Sequence, residues 1–495
     1  MVIAAARPHL AIFLIVLLGA GLRTAAFASD RSLWLDEAML ALNVVGRSPA
    51  RLLEPLDRNQ GAPVGFLLAT KLGVECFGPT ERALRLVPFL ASLAGLVAFG
   101  FAAFRLLPRP SARLALLLFA VSPFVVSYAA ECKQYSSDAA IAAGLLAVSA
   151  PLFTGGAGIG RWIALGLGGA VAVWCSHPAL FVLAGLGMAL IAHAVEAKDR
   201  ARIVGTLAVG AVWPLGFAGV YAVSLCDMGS NGYLLDYWAG HFPPRSGDSA
   251  AWLVDHAFEF FRTPGGWGGR LIPASGLAAV LAFLGALAWY REARWPLFAI
   301  LLPALVVLIA SAAHLYPFAG RLLLFLVPAA TLLVARGTQV AVGALRERIG
   351  WPSYVVPVLL VAASLHEAVV QIRTPSRAEE IRLVLDRVKQ AWQTGDRLYV
   401  YGGAGDAGAG PAFEFYAPRY GFPAESVIRG EIHRDDPSQY RGEIAKLAPG
   451  RIWVLFAHRH RDEETWIRAA FDGIGVRSTV YEAPGAAAYL YRVRE

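Results

Sequence analysis

Charge is what this chain has little of. Asp, Glu, Lys and Arg together make up 16% of its 495 residues, against 57% hydrophobic ones, and a soluble globular protein does not stay dissolved at that balance. Cysteine is scarcer: Cys76, Cys132, Cys175 and Cys226 show no metal-ligand spacing, and although a disulfide is allowed, no pair is singled out. No solenoid repeat or low-complexity tract is visible. The formal charge of +8 does not point to nucleic acid, because the basic residues sit mainly in short loops between apolar runs rather than in one patch.

Those apolar runs are what the chain does have. Eleven segments of 16 to 23 residues read as transmembrane helices, near 9–28, 86–107, 114–130, 138–153, 160–176, 178–195, 203–225, 271–290, 296–313, 321–336 and 352–371. The first, Leu10 to Phe27 after Arg7, has the look of a signal peptide, but later spans need a partner in the bilayer and it is expected to stay. With the N-terminus in the cytoplasm, twelve Arg and Lys residues fall in the inner short loops and two, Lys133 and Arg321, in the outer ones. Basic residues near span ends resist translocation, so this count orients the chain. The expectation is a bacterial inner-membrane protein whose two long loops, 29–85 and 226–270, and C-terminal segment lie outside.

The fold class expected is thus a polytopic α-helical membrane module over 1–371, followed by a small extracytoplasmic α/β domain over 372–495. In the last part, a helix over Arg377 to Trp392 precedes strands at Arg397–Tyr401, Arg451–Phe456 and Ala487–Val493, with a helix near Glu464–Phe471. Gly403 to Gly408 matches the dinucleotide fingerprint after a strand, but Pro411 displaces the helix start, so a tight surface turn is expected. In the first long loop, Val64 to Gly78 is too short to span. It reads as an interfacial helix with Phe66, Leu67 and Leu68 in the acyl boundary and Lys71 reaching for phosphates. The second long loop is rich in Tyr233, Tyr237, Trp238, His241 and Trp267, whose faces suit sugar rings or a headgroup-level aromatic belt.

Three polar clusters interrupt the apolar pattern, all on the expected outer side. Asp36 and Glu37, in Leu33 to Ala38, offer carboxylates that can take a proton from a hydroxyl or help hold a divalent metal, or simply start a helix. Glu131, Lys133 and Tyr135, in Glu131 to Asp138, offer an acid, a phosphate-binding ammonium and a hydroxyl. His314, Tyr316 and Arg321 open the tenth span; a guanidinium there grips a phosphate through two donors, or snorkels to headgroups. His177, in a fifth outer turn, joins the same face. Acids and cations sorted to one side point to a site there.

The segments Leu33–Ala38, Asn59–Pro63 with Gln60, Arg82–Leu86, Glu131–Asp138 and Tyr316–Arg321 together resemble bacterial members of the GT-C glycosyltransferase superfamily. The likeness runs over about residues 10–335 and is nearest to protein O-mannosyltransferases and lipid A aminoarabinose or core-sugar transferases. It implies a polyprenyl-phosphate sugar donor, an outer active site and an acid of the first loop near catalysis. Here that acid is Asp36, with Glu37 beside it. Lys133 and Arg321 would hold the donor phosphate, and Glu131, Tyr135, Gln60, His177, His314 and Tyr316 the substrates. The acceptor would be an envelope lipid, glycan or protein, and a metal is allowed but not demanded. The rival functions are a transporter or flippase, which calls for ionisable groups near mid-span, and a non-catalytic scaffold, which leaves the acids unemployed.

Overall fold

A computed structural model describes residues 2–155, 158–226, 231–245, 247–269, 271–375 and 378–494, with the backbone alone for residues 2–8. Among the described residues, eight helices are long and apolar enough to cross a membrane. They match the expected spans that begin near residues 9, 86, 138, 178, 203, 296, 321 and 352. Two further expected spans are shorter or less apolar helices, Ile159–Cys175 and Ser275–Glu292.

The segment expected to span 114–130 is not one helix. It is α5 (Arg109–Ala120) and a short α6 (Pro123–Tyr128). Pro123 lacks the N–H that would continue α5, which frees carbonyls inside the bundle. Arg23, fully buried on α1 (Val2–Ala28), satisfies them: its guanidinium donates to the carbonyls of Ala120 at 2.9 Å and Phe119 at 3.4 Å, and to the Ser92 hydroxyl at 2.8 Å.

Small residues set how closely the spans approach. A Cβ added at Gly337 would lie 1.8 Å from the Leu281 carbonyl oxygen, and one at Gly285 2.1 Å from that of Leu333, so the helices Ser275–Glu292 and Val327–Ile349 meet backbone to backbone. Gly95 does the same between α4 (Glu81–Leu106) and α7 (Tyr135–Thr154), approaching Ala140. That contact brings Arg85, on α4, beside the turn that precedes α7.

The first long loop folds into α2 (Leu35–Gly46) and α3 (Val64–Phe77). The expected helix is there, but the face assigned to lipid needs correction. Phe66 and Leu67 are buried in the protein core, while Leu68, Leu72 and Phe77 are exposed. Lys71 donates to the Val45 carbonyl at 3.2 Å rather than reaching outward. Packing of α3 onto α2 and α4 took the face that hydropathy alone assigns to the bilayer.

The chain ends in a five-stranded sheet, order β2-β1-β3-β5-β4, from β1 (Arg397–Val400), β2 (Val427–Arg429), β3 (Gly450–Ala457), β4 (Gly475–Ala483) and β5 (Ala486–Val493). β2, β1 and β3 are parallel; β5 and β4 are antiparallel. The expected strands correspond to β1, β3 and β5. The sequence pattern misses β2, only three residues long, and β4, an edge strand whose Val476 and Val480 are exposed. The expected helix from Arg377 is Ile381–Ala391; Ser376, Arg377 and Arg270 lie outside the described residues.

Candidate active site

Where the membrane bundle meets the C-terminal sheet there is a cavity of about 1460 Å³. A pocket for one small ligand is roughly 300–1,000 Å³, so this chamber has room for two substrates at once. Its bundle-side wall carries Asp36, Gln60, Lys133, Tyr135, His177, Tyr316 and Arg321. Seven of the ten expected site residues therefore share one chamber.

Asp36 and Arg321 form its centre. Asp36 lies in the first turn of α2 and Arg321 in the 3-10 turn Gly320–Leu326 that leads into the helix Val327–Ile349. Arg321 Nη2 lies 2.6 Å from Asp36 Oδ2. The guanidinium is also bracketed by aromatic rings, 5.4 Å from the centroid of Tyr135 and 5.7 Å from that of Trp34. The cation is thus held between a carboxylate and two rings in the chamber wall, and a guanidinium can grip an anion in two-point fashion.

Lys133 stands on the tight turn before α7, almost buried, and donates to the Gln60 side-chain carbonyl at 2.8 Å. Desolvation lowers its pKa below that of an ordinary lysine, with the neighbouring Arg321 adding to the effect and Asp36 opposing it. A lysine in that position gains from any anion that arrives. Tyr316 donates its hydroxyl to the Leu322 carbonyl at 3.0 Å, just past Arg321, and supports that turn. Desolvation holds the pKa of His177 down at about 4, so at neutral pH it is an uncharged hydrogen-bonding group and not a phosphate cation.

Three expected residues are not brought to the chamber. Glu37 is buried and turned to the other side of α2, where it accepts from Arg85 at 2.8 and 2.7 Å and from the backbone N–H of Cys132 at 2.7 Å. Arg85 also donates to the carbonyls of Arg31 and Ser32. The acid assigned to catalysis beside Asp36 is thus a fastener joining α2, α4 and the turn before α7. Glu131 lies behind the same wall, lining a small polar cavity with Arg31, Glu37 and Arg85. His314 stacks on Phe242 at 4.7 Å, outside the chamber lining, and its left-handed φ of +57° ends the helix Arg294–Ala312.

Asp36 and Glu37 diverge, each against a guanidinium that would repel a dication, so the pair does not fit a shared ion. Among the described residues no group of three or more His, Cys, Asp or Glu is arranged to hold one. All four cysteines are free; burial pushes the Cys132 thiol up to about 12, with Glu37 adding to the shift.

Several chamber residues lie outside the expected set. Asp138 is three residues after Tyr135 on α7 and shares its face, a spacing readable from the sequence. Arg58, Asp255, His256 and Glu259 come from the long loops, and Arg434, His458 and His460 from the C-terminal unit. Residues 404–407 of the glycine-rich turn also line it, held by Arg58, which pairs with Asp406 at 2.5 Å and Glu414 at 2.7 Å. Of the loop aromatics, Tyr233, Tyr237, Trp238 and His241 line the chamber, whereas Trp267 is buried in the core.

No protein-family model matches the sequence, and no curated relative does. Solved structures do. ArnT from Cupriavidus metallidurans in its apo state has a TM-score of 0.54 at 15% identity, covering 96% of this chain and 97% of that one. ArnT bound to undecaprenyl phosphate gives 0.54 at 14%, covering 96% and 98%. The Archaeoglobus fulgidus oligosaccharyltransferase in complex with zinc and sulfate gives 0.55 at 12%, covering 97% of this chain and 72% of that one. AglB of the same organism has also been solved with an inhibitory peptide and a dolichol-phosphate. At these identities the likeness carries the fold alone: a polytopic helical bundle followed by the C-terminal sheet, alike over 96–97% of this chain.

Proposed function

We propose that this protein is a membrane glycosyltransferase that moves a sugar from a polyprenyl-phosphate donor to an envelope acceptor, with inversion at the anomeric carbon. One observation carries the reading: an acid, a doubly bracketed guanidinium and a desolvated ammonium meet in a chamber too large for one small ligand, at the boundary of the membrane bundle. The solved neighbours with undecaprenyl phosphate and dolichol-phosphate support the donor class. The twelve-to-two distribution of basic loop residues supports an outward-facing chamber.

In this mechanism the donor phosphate displaces part of the Asp36–Arg321 contact and is held by Arg321 and Lys133. As the bond from the anomeric carbon to the phosphate oxygen breaks, negative charge grows on that phosphate, and two fixed cations stabilise it without reorganisation. Asp36, paired with Arg321, orients the acceptor hydroxyl that attacks the anomeric carbon and takes its proton as the new bond forms. A carboxylate beside a guanidinium is a weak base. It suffices where the hydroxyl becomes acidic only as it attacks an electron-poor carbon. The rival transporter reading gains no support, because Asp36, Lys133 and Arg321 gather at one end of the spans rather than at mid-span.

The test is mass spectrometry of purified protein incubated with undecaprenyl-phosphate sugars and envelope extract. Release of undecaprenyl phosphate together with a glycosylated product is the expected result. Transport of intact donor across vesicles without cleavage would overturn it.

A further inference from the structure

The stretch that leads into Asp36 is held, almost residue by residue, by the C-terminal unit. The backbone N–H of Ser32 donates to Glu380 at 3.2 Å, that of Leu33 to the Tyr416 hydroxyl at 2.9 Å, and that of Leu35 to Glu379 at 2.9 Å. Leu35 is the first residue of α2, and the residue at the cap position, Trp34, makes no side-chain cap bond; an indole is a donor only. The helix start that bears Asp36 is therefore capped by an acid some 340 residues away.

Glu379 has a second attachment. Its other oxygen lies 2.6 Å from His458 Nδ1, at the end of β3, and His458 lines the chamber. With Nδ1 bonded to Glu379, the ring offers Nε2 to a ligand. Two rigid elements, β3 and α2, are thus joined through one buried carboxylate. From the other side, Arg85 holds the carbonyls of Arg31 and Ser32, and Glu379 accepts from the N–H of the helix's first residue.

We propose that Glu379 is a positioning residue that sets the first turn of α2, and with it Asp36, and that His458 couples this setting to a hydroxyl-bearing ligand in the part of the chamber lined by the C-terminal sheet. The consequence for catalysis rests on the role of Asp36 proposed above; the setting of α2 does not. The C-terminal unit is then part of the catalytic apparatus rather than an appendage.

Hydrogen–deuterium exchange of the full chain in detergent, read in peptides covering residues 33–40, tests the contact directly. Glu379→Ala should exchange there about tenfold faster, the effect of losing a charge-assisted hydrogen bond at a helix start. Glu379→Gln, which keeps an acceptor for Leu35 and a donor for His458, should restore most of the protection. Unchanged protection of β5 would show that the variants are folded. Equal exchange in wild type and Glu379→Ala over residues 33–40 overturns the proposal. In the transfer assay, Glu379→Ala should lower kcat about tenfold with the donor KM nearly unchanged, as expected for a misplaced catalytic group. His458→Ala should instead raise the acceptor KM; no change in acceptor KM overturns the coupling. If wild type transfers no sugar while exchange still responds, the proposed function fails and the setting of α2 stands.

Discussion

Two neighbouring acids, Asp36 and Glu37, have opposite fates because adjacent helical positions point about 100° apart. Once α2 packs, one must face the chamber and the other the core. The sequence shows the acids but not which way the helix turns, since both faces of the segment Leu33–Ala38 are apolar. The division is testable. Asp36→Asn should lower kcat by about 10²–10⁴, the range for a positioned general base, and, by removing the carboxylate that competes for Arg321, should not weaken undecaprenyl phosphate binding. Glu37→Gln should act on stability first: breaking one side of a buried ion pair costs about 3–5 kcal/mol, read as a lower Tm in detergent. Lys133 gives a pH signature. Its lowered pKa means that the ammonium is lost as pH rises, at a lower pH than for an ordinary lysine. The donor KM should rise along that alkaline limb, and Lys133→Arg should move the limb to higher pH, measured as KM against pH.

At the scale of the element, hydropathy locates the spans because a helix must satisfy its own backbone in lipid, and that requirement leaves long apolar runs. It does not show where a span breaks. The break between α5 and α6 depends on Arg23, nearly a hundred residues earlier, reaching the carbonyls of Phe119 and Ala120. Nothing near Pro123 in the sequence announces that partner. Arg23→Leu should take the guanidinium from the buried Ala120 carbonyl and cost about 1–3 kcal/mol, measured as a fall in Tm. The exposed side of α3 is not legible in the sequence for a related reason: its apolar residues fall on several sides, so only the tertiary contacts of Phe66 and Leu67 decide which of them stay exposed.

For the whole molecule, the orientation argument from loop charges placed the polar clusters on one side, and the chamber unites most of them. What charge counting does not contain is the roof. His458, Arg434 and the glycine-rich turn come to the chamber through the docking of a sheet hundreds of residues further on, by contacts such as Tyr416 to Leu33 and Arg419 to Glu81. The turn over residues 403–408 is a tight turn as expected, but it faces the chamber rather than open solvent. The central claim is that donor phosphate sits between Arg321 and Lys133 with Asp36 beside it. A cryo-electron microscopy structure of the protein with undecaprenyl phosphate tests it most directly. The account predicts the phosphate within hydrogen-bonding distance of both cations, with the polyprenyl chain leading into the bilayer. A phosphate held elsewhere while the Asp36–Arg321 contact stays closed would contradict it.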